Sequence, residues 1–137
     1  MISVPCKIYC IILNQSLSKW LEDNDHLCEE QNGFRKGRSC EEHIQALYLT
    51  LNDRKISRLS THVCFIDMRK AFDTVNRTLL WHKLRALGIH GSFLNAIQSL
   101  YTDVKCTVRL NDDLTPWFNV ANGVKQRRIL SPTLFSV

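Results

Sequence analysis

Phe65-Ile66-Asp67-Met68-Arg69-Lys70-Ala71-Phe72-Asp73-Thr74-Val75 is the stretch on which the fold turns. Thr61-His62-Val63-Cys64 precedes it, so residues 61–66 form a run of β-branched and aromatic side chains that ends at an acid. Such a run predicts a short buried strand with Asp67 at its C-terminal edge, then a tight turn that presents the Phe72 ring. That layout can hold a divalent cation beside a sugar, because magnesium takes a few carboxylate oxygens and otherwise phosphate and water. An Asp after a strand also often does no more than cap or form a turn, and these residues alone do not separate the two readings.

Outward from this stretch the chain alternates between periods. Upstream, Tyr9, Leu13, Leu17, Trp20 and Leu21 recur at helical spacing, with Ile8 and Ile12 widening the stripe, and predict a first helix closed by Glu22-Asp23-Asn24-Asp25. Gln31 to Ser39, with Gly33 and Gly37, has no period and reads as a loop or short hairpin. Ser39 and Glu42 form a predicted capping box, and Ile44, Leu47, Tyr48 and Leu51 a core-facing stripe, on a helix running to about Ile56. Downstream, Leu80, Leu84 and Leu87 define a helix stopped by Gly88, and Phe93, Leu94, Ile97, Leu100 and Tyr101 define another from near Ser92. Val104–Leu110 and Pro116–Val120 predict two strands joined through Asn111-Asp112-Asp113. The class is therefore α/β (α+β), a short antiparallel sheet packed by helices, with no internal repeat and no low-complexity segment.

With 137 residues the chain has room for one core. Hydrophobic residues at 45% and charged residues at 23% exclude the disordered class. Eighteen Lys and Arg against thirteen Asp and Glu leave a net charge of +5, a mild bias toward a polyanionic partner. The six cysteines lack the paired spacing of a zinc ribbon; Cys40 with His43 and His26 with Cys28 are the nearest approach to ligand pairs, and reduced thiols are expected. The apolar run Val4–Leu13 is interrupted by Lys7 and too short to span a bilayer, so no secretion or membrane segment is expected and the location is cytoplasmic or nuclear.

Two further segments carry chemistry. Gln31-Asn32-Gly33-Phe34-Arg35-Lys36-Gly37-Arg38-Ser39 sets three cations among glycines that let backbone approach a phosphate, though a solvated basic turn has the same composition. Gly123-Val124-Lys125-Gln126-Arg127-Arg128-Ile129-Leu130-Ser131-Pro132 leads from a strand into a helix, with Ser131 the predicted cap and Pro132 the first helical position.

In this order, the three segments resemble the reverse transcriptases of non-LTR retrotransposons and their group II intron relatives: Gln-x-Gly-Phe-Arg-x-Gly-Arg-Ser, then Asp-x-x-x-Ala-Phe-Asp-x-Val, then Gly-Val-Lys-Gln and Leu-Ser-Pro. The likeness runs from about Ser3 to Val137 and implies part of a right-hand polymerase, with residues 1–60 fingers-like and 61–137 a palm lacking the downstream Asp-Asp hairpin. It makes Asp67 the first catalytic, metal-binding aspartate. It makes Phe72 the ring that packs against the incoming sugar and disfavours a 2′-hydroxyl. Arg35 and Arg38 match positions that hold template or triphosphate, and Gln126 and Ser131 match positions beside the nucleotide. Asp73, Gly123, Lys125 and Pro132 match supporting positions. The implied cofactor is Mg2+, and the implied partners are RNA template, DNA primer, dNTP and any remaining polymerase segments.

In that family two magnesium ions are held by three aspartates, of which only Asp67 lies in these residues; the other two belong to a Tyr-x-Asp-Asp hairpin beyond the third segment. Asp112-Asp113 is no substitute, since it precedes the third segment, lacks the tyrosine and is explained as a turn. Arg127 and Arg128 stand where the family has a glycine and then usually a small or polar residue, which is expected to obstruct the pocket. The reading is a reverse transcriptase domain fragment, inactive alone. The alternatives are a non-catalytic remnant that binds RNA or RNA–DNA through its cations, and a translated relic with no selected role.

Overall fold

The computed structural model describes residues 3–126 and 128–137. Its elements follow in the order α1 (Val4–Asp23), α2 (Cys40–Ile56), α3 (Arg77–Ala86), α4 (Gly91–Ser99), β1 (Lys105–Cys106), β2 (Arg109–Leu110), β3 (Asp113–Leu114), β4 (Phe118–Asn119) and α5 (Ser131–Ser136). They fall into two compact units, Met1–His26 with Lys70–Val137, and Leu27–Arg69.

In the first unit the core is aliphatic: Leu17 and Leu21 of α1, Leu84 of α3, Ile97 of α4, and Leu130 and Leu134 at α5 are almost wholly buried. α1 has Pro5 in its first turn, where the missing N–H costs nothing, and buries Cys10, Leu13, Leu17 and Leu21. The predicted stripe is thus narrower than expected: Ile8, Tyr9, Ile12 and Trp20 stay exposed, because the short α5 covers only one band of α1. Asn76 caps α3 by accepting from the Leu79 N–H. α3 ends at Ala86 with Leu87 as its cap, and Gly88 stops it as predicted at φ +83, with the Ile89 N–H reaching back to the Leu84 carbonyl at 2.9 Å. α3 packs on α4, whose start at Gly91 is within a residue of the expected one.

A hairpin forms as predicted, but its turn is Asn111-Asp112 alone: Asp113, expected in the turn, pairs in β3, and Pro116 lies outside the strands. Lys105 pairs with Asn119 and Cys106 with Phe118, then Arg109 with Leu114 and Leu110 with Asp113, both antiparallel. Asn111 turns the chain at φ +53, a conformation Asn tolerates. Between the two ladders the Thr115 hydroxyl replaces a backbone acceptor for the Val108 N–H at 3.0 Å. The expectation of a sheet packed by helices is corrected: every strand residue is exposed. Lys105, Arg109, Asp113 and Asn119 share the ladders with Cys106, Leu110, Leu114 and Phe118, and these apolar residues are exposed as well.

The second unit carries α2, which begins with the predicted capping box. The Ser39 hydroxyl accepts from the Glu42 N–H at 3.2 Å, and the Glu42 carboxylate accepts from the Ser39 N–H at 2.9 Å. The helix ends at Ile56 as expected, but none of its residues is buried. The strand predicted over residues 61–66 is absent: residues 59–68 have no regular structure, and Phe65 and Ile66 are 83% and 87% exposed. β-formers become a strand only when a neighbour supplies the ladder, and the described strands pair among themselves.

Candidate functional site

The turn after Asp67 is built as the sequence implies. Lys70 sits in the left-handed region at φ +53, and its carbonyl accepts from the Asp73 and Thr74 N–H groups at 2.9 and 3.1 Å. This brings the chain round and presents Phe72 and Asp73 side by side. The third segment docks on that turn through its backbone: Gly123 N–H donates to Val75 O at 2.9 Å and Val124 N–H to Phe72 O at 2.8 Å. Gly123 has φ +81, and a Cβ there would lie 2.8 Å from the Asp73 carbonyl oxygen and 2.9 Å from its Cα. Only glycine satisfies both the dihedral and the approach.

Side chains reinforce the junction. The Gln126 amide donates to both Asp73 carboxylate oxygens, at 3.0 and 3.1 Å. Phe72 stacks on Phe135 of α5 with centroids 4.8 Å apart. Lys125 donates to the Leu100 carbonyl at 2.9 Å and lies over the Tyr101 ring. Burial, with Arg128 and Arg77 adding repulsion, holds its ammonium below the usual lysine range. Ser131 is a correction: the helix begins at Ser131 with Leu130 in the cap position and Pro132 in the second helical position, and no side chain caps it. The buried Ser131 hydroxyl instead lies 3.2 Å from the Tyr101 hydroxyl.

Arg77 holds these parts together and was missed by sequence reading. Its guanidinium is buried and donates to four backbone carbonyls: Gly123 at 2.7 Å, Val120 at 2.9 Å, Asn122 at 3.1 Å and Tyr101 at 3.2 Å. One signal was present in the sequence. A cation in the first turn of a helix opposes the macrodipole, so Arg directly after the Asn76 cap implies a use elsewhere.

The remaining predicted residues belong to the other unit, Leu27–Arg69. Asp67 is exposed. Arg35 donates to the carbonyls of Cys28 at 2.8 Å and Gln31 at 3.4 Å, and Arg38 pairs with Glu29 and lies 3.5 Å from the Asn32 side-chain oxygen. Both guanidinium groups therefore brace their own loop. Arg127 lies outside the described residues, and Arg128 is half-buried.

Over residues 1–137 the sequence matches the family described as reverse transcriptase (RNA-dependent DNA polymerase). The chain belongs to the reverse transcriptase family. Among its relatives, the Retrovirus-related Pol polyprotein from type-1 retrotransposable element R2 of Popillia japonica is 31% identical over 126 residues, 91% of this chain and 18% of the relative. The corresponding polyprotein from type-2 element R2DM of Drosophila melanogaster is 28% identical over 136 residues, 99% of this chain and 13% of its own. The probable RNA-directed DNA polymerase from transposon BS of the same fly is 26% identical over 137 residues and 15% of its length. The chain thus spans less than a fifth of the length of these relatives, and it is a segment of a reverse transcriptase domain. No solved structure matches it.

Reverse transcriptases imply a divalent metal, and the donors here meet that demand only in part. Asp67 offers one carboxylate, and no group of three or more His, Cys, Asp or Glu able to hold an ion occurs among the described residues. Asp73 accepts from the Gln126 amide at both carboxylate oxygens and belongs to no group of three or more such donors among the described residues. The Cys40–His43 and His26–Cys28 pairs enter no such group either. Among the described residues no helix is long and apolar enough to cross a membrane.

Proposed function

We propose that this chain contributes the nucleotide-side portion of an RNA-directed DNA polymerase, and that nucleotidyl transfer requires carboxylates beyond those in its 137 residues. The observation that carries this reading is the docking of Gly123-Val124 on the Phe72–Val75 turn. Two segments that match the family's motifs, 48 residues apart between Val75 and Gly123 in the numbering, are joined by backbone bonds that only glycine permits. Residues 1–60 serve in this reading as the fingers-like part and 61–137 as palm.

Asp67 takes the role of a metal-binding carboxylate, with Mg2+ the expected ion, and Phe72 that of a floor under the sugar which crowds a 2′-hydroxyl. Gln126 and Ser131 lie on the nucleotide side, and Arg35 and Arg38 shape the loop that meets template or triphosphate. Because Asp67 alone cannot position two ions, no chemical step is assigned to the isolated chain. RNA template, DNA primer and dNTP are the partners.

The test is a chimaera in which these residues replace the matching segment of the R2 polyprotein of Popillia japonica. Primer extension on an RNA template supports the proposal, provided Asp67→Asn lowers it by at least about a thousandfold, the scale expected for losing charge stabilisation at the transition state. A folded chimaera that extends no primer, or one indifferent to Asp67→Asn, overturns it.

A further inference from the structure

Two of the six cysteines, Cys6 and Cys10, lie four residues apart on α1 and line one cavity of about 150 Å3, with Tyr101, Lys125, Arg128 and Leu130 among its other walls. Cys10 is buried and Cys6 half-buried, so the pair has one member inside and one that solvent reaches. The other four, Cys28, Cys40, Cys64 and Cys106, are exposed, and none lines this cavity. Side chains at i and i+4 share a helix face with Cβ atoms about 5–6 Å apart. That is wider than the roughly 3.5–4.5 Å a disulfide spans, so while α1 is helical the pair stays a dithiol. It matches one ion held between two sulfurs, for which thiolate–metal bonds of about 2.3 Å, as at zinc, set the sulfurs about 4.6 Å apart.

The cavity also selects the ion. Zinc takes four ligands, and no group of three or more His, Cys, Asp or Glu able to hold an ion occurs among the described residues. Hard cations take carboxylate and carbonyl oxygens, whereas thiolates select soft Cu(I), a closed-shell monovalent ion that two sulfurs in line satisfy. Charge balance agrees. Burial and then Cys6 push the Cys10 thiol up, so Cys10 is a neutral thiol when no ion is present, while Arg128 and Lys125 pull the other way. Binding of Cu(I) releases both thiol protons and leaves a complex with one net negative charge, which Lys125 and Arg128 offset from the walls of the same cavity.

We propose that Cys6 and Cys10 form a two-coordinate Cu(I) site, with Lys125 and Arg128 offsetting the charge of the bis-thiolate. Cys6 is the sulfur an incoming ion meets, and Cys10 closes the site. Two thiol protons pass to solvent as two copper–sulfur bonds form, and nothing is oxidised or reduced. Asp67 and the Phe72 turn take no part, so this site and the polymerase reading fail independently.

The experiment titrates the reduced 137-residue chain with Cu(I) under anaerobic conditions, against bicinchoninate as competing chelator, and maps free thiols by iodoacetamide alkylation and mass spectrometry. One Cu(I) per chain is expected, with Cys6 and Cys10 shielded from alkylation and the four exposed cysteines still alkylated. Cys6→Ser and Cys10→Ser are each expected to weaken binding at least about a hundredfold, since a ligand outweighs the outer partners whose loss costs about 10–100-fold. Cys6 is not part of the buried core, so its variant separates loss of a ligand from loss of folding. Arg128→Gln is expected to weaken binding about tenfold, the lower end for an outer partner. Cys106 lines the neighbouring cleft instead, and Cys106→Ser is expected to leave affinity within about twofold, as for sites with no shared partner.

Shielding of a different pair of cysteines overturns the proposal. So does affinity unchanged by Cys6→Ser or by Arg128→Gln, or a loss from Cys106→Ser equal to that from Cys6→Ser.

Discussion

α1 and α2 are furnished in opposite ways. α2 has a reciprocal capping box, Glu41 and Glu42 in its first turn and Arg54 and Lys55 in its last, which complement the macrodipole, against a single opposing acid, Asp53. α1 has no side-chain cap, no acid in its first turn and no base in its last. Yet α1 buries Cys10, Leu13, Leu17 and Leu21, while α2 buries nothing. Magnitudes explain how both helices stand: a cap is worth about 1 kcal/mol, whereas each fully buried leucine contributes about 1.5–3 kcal/mol. Local chemistry decides where a helix starts and stops, and burial depends on what another element sets against it. α1 has α5 there, with Thr133 bonded to Asn14 at 2.8 Å and to Ser18 at 3.3 Å.

If packing and tertiary hydrogen bonds hold the first unit, the largest loss should come from Arg77→Met. It strips four carbonyls of their donor, and leaving buried acceptors unpaired costs roughly 1–3 kcal/mol each before water relieves the outer ones, so about 3–5 kcal/mol is expected. Urea unfolding followed by tryptophan fluorescence reads this directly, because Trp20, Trp81 and Trp117 all lie in the first unit. A loss below about 1 kcal/mol would mean that the guanidinium does not hold the 120–124 segment.

One substitution made in both units sharpens the contrast. Gly123→Ala forces a Cβ to 2.8 Å from the Asp73 carbonyl at φ +81 and should cost about 2–4 kcal/mol in the same unfolding assay. Gly33→Ala meets nothing within 4 Å and should change stability by less than about 0.5 kcal/mol, read by circular dichroism because its unit has no tryptophan. Equal costs at the two positions would remove the distinction between a packed and an unpacked glycine.

What could be read from the sequence follows the same division. The bounds of α2, the stop at Gly88 and the turn at Asn111 depend on residues within a few positions of one another, and each appears where its residues call for it. The strand expected at Thr61–Ile66 depends on a partner that no local pattern supplies, and it did not form. Among the site residues, the turn after Asp67 was legible from the residues themselves, whereas Gly123 was named only through the family resemblance, and its φ of +81 and its approach to Asp73 supply the physical reason for a glycine there. The four carbonyls around Arg77 come from residues 101, 120, 122 and 123, which no spacing rule gathers in advance. Ser131 was misread by one position because Ser-Pro suits a helix start in either register, and Tyr101, thirty residues earlier, draws its hydroxyl inward.

A smaller effect tests the local side of the comparison. Ser39→Ala removes the hydroxyl that accepts from the Glu42 N–H and should weaken the first turn of α2 by about 1 kcal/mol. Amide exchange of Glu41 and Glu42 should speed up about fivefold, as that loss implies for local opening. Unchanged exchange would show that α2 draws its order from something other than its cap.

The smallest expected effect is the most decisive for the comparison. Ile44 and Tyr48 are 68% and 65% exposed, one turn apart on α2, and by sequence pattern they should have been core. Replacing Ile44 by Gln removes little buried apolar area, because little is buried, and Gln keeps a good helix propensity. The expected change is under about 0.5 kcal/mol by circular dichroism on urea unfolding. A loss of about 2 kcal/mol would be the cost of taking a methyl-rich side chain out of a packed contact. It would mean that the apolar face of α2 is covered in solution, and the contrast with α1 would then reduce to which neighbour covers each helix rather than to whether one does.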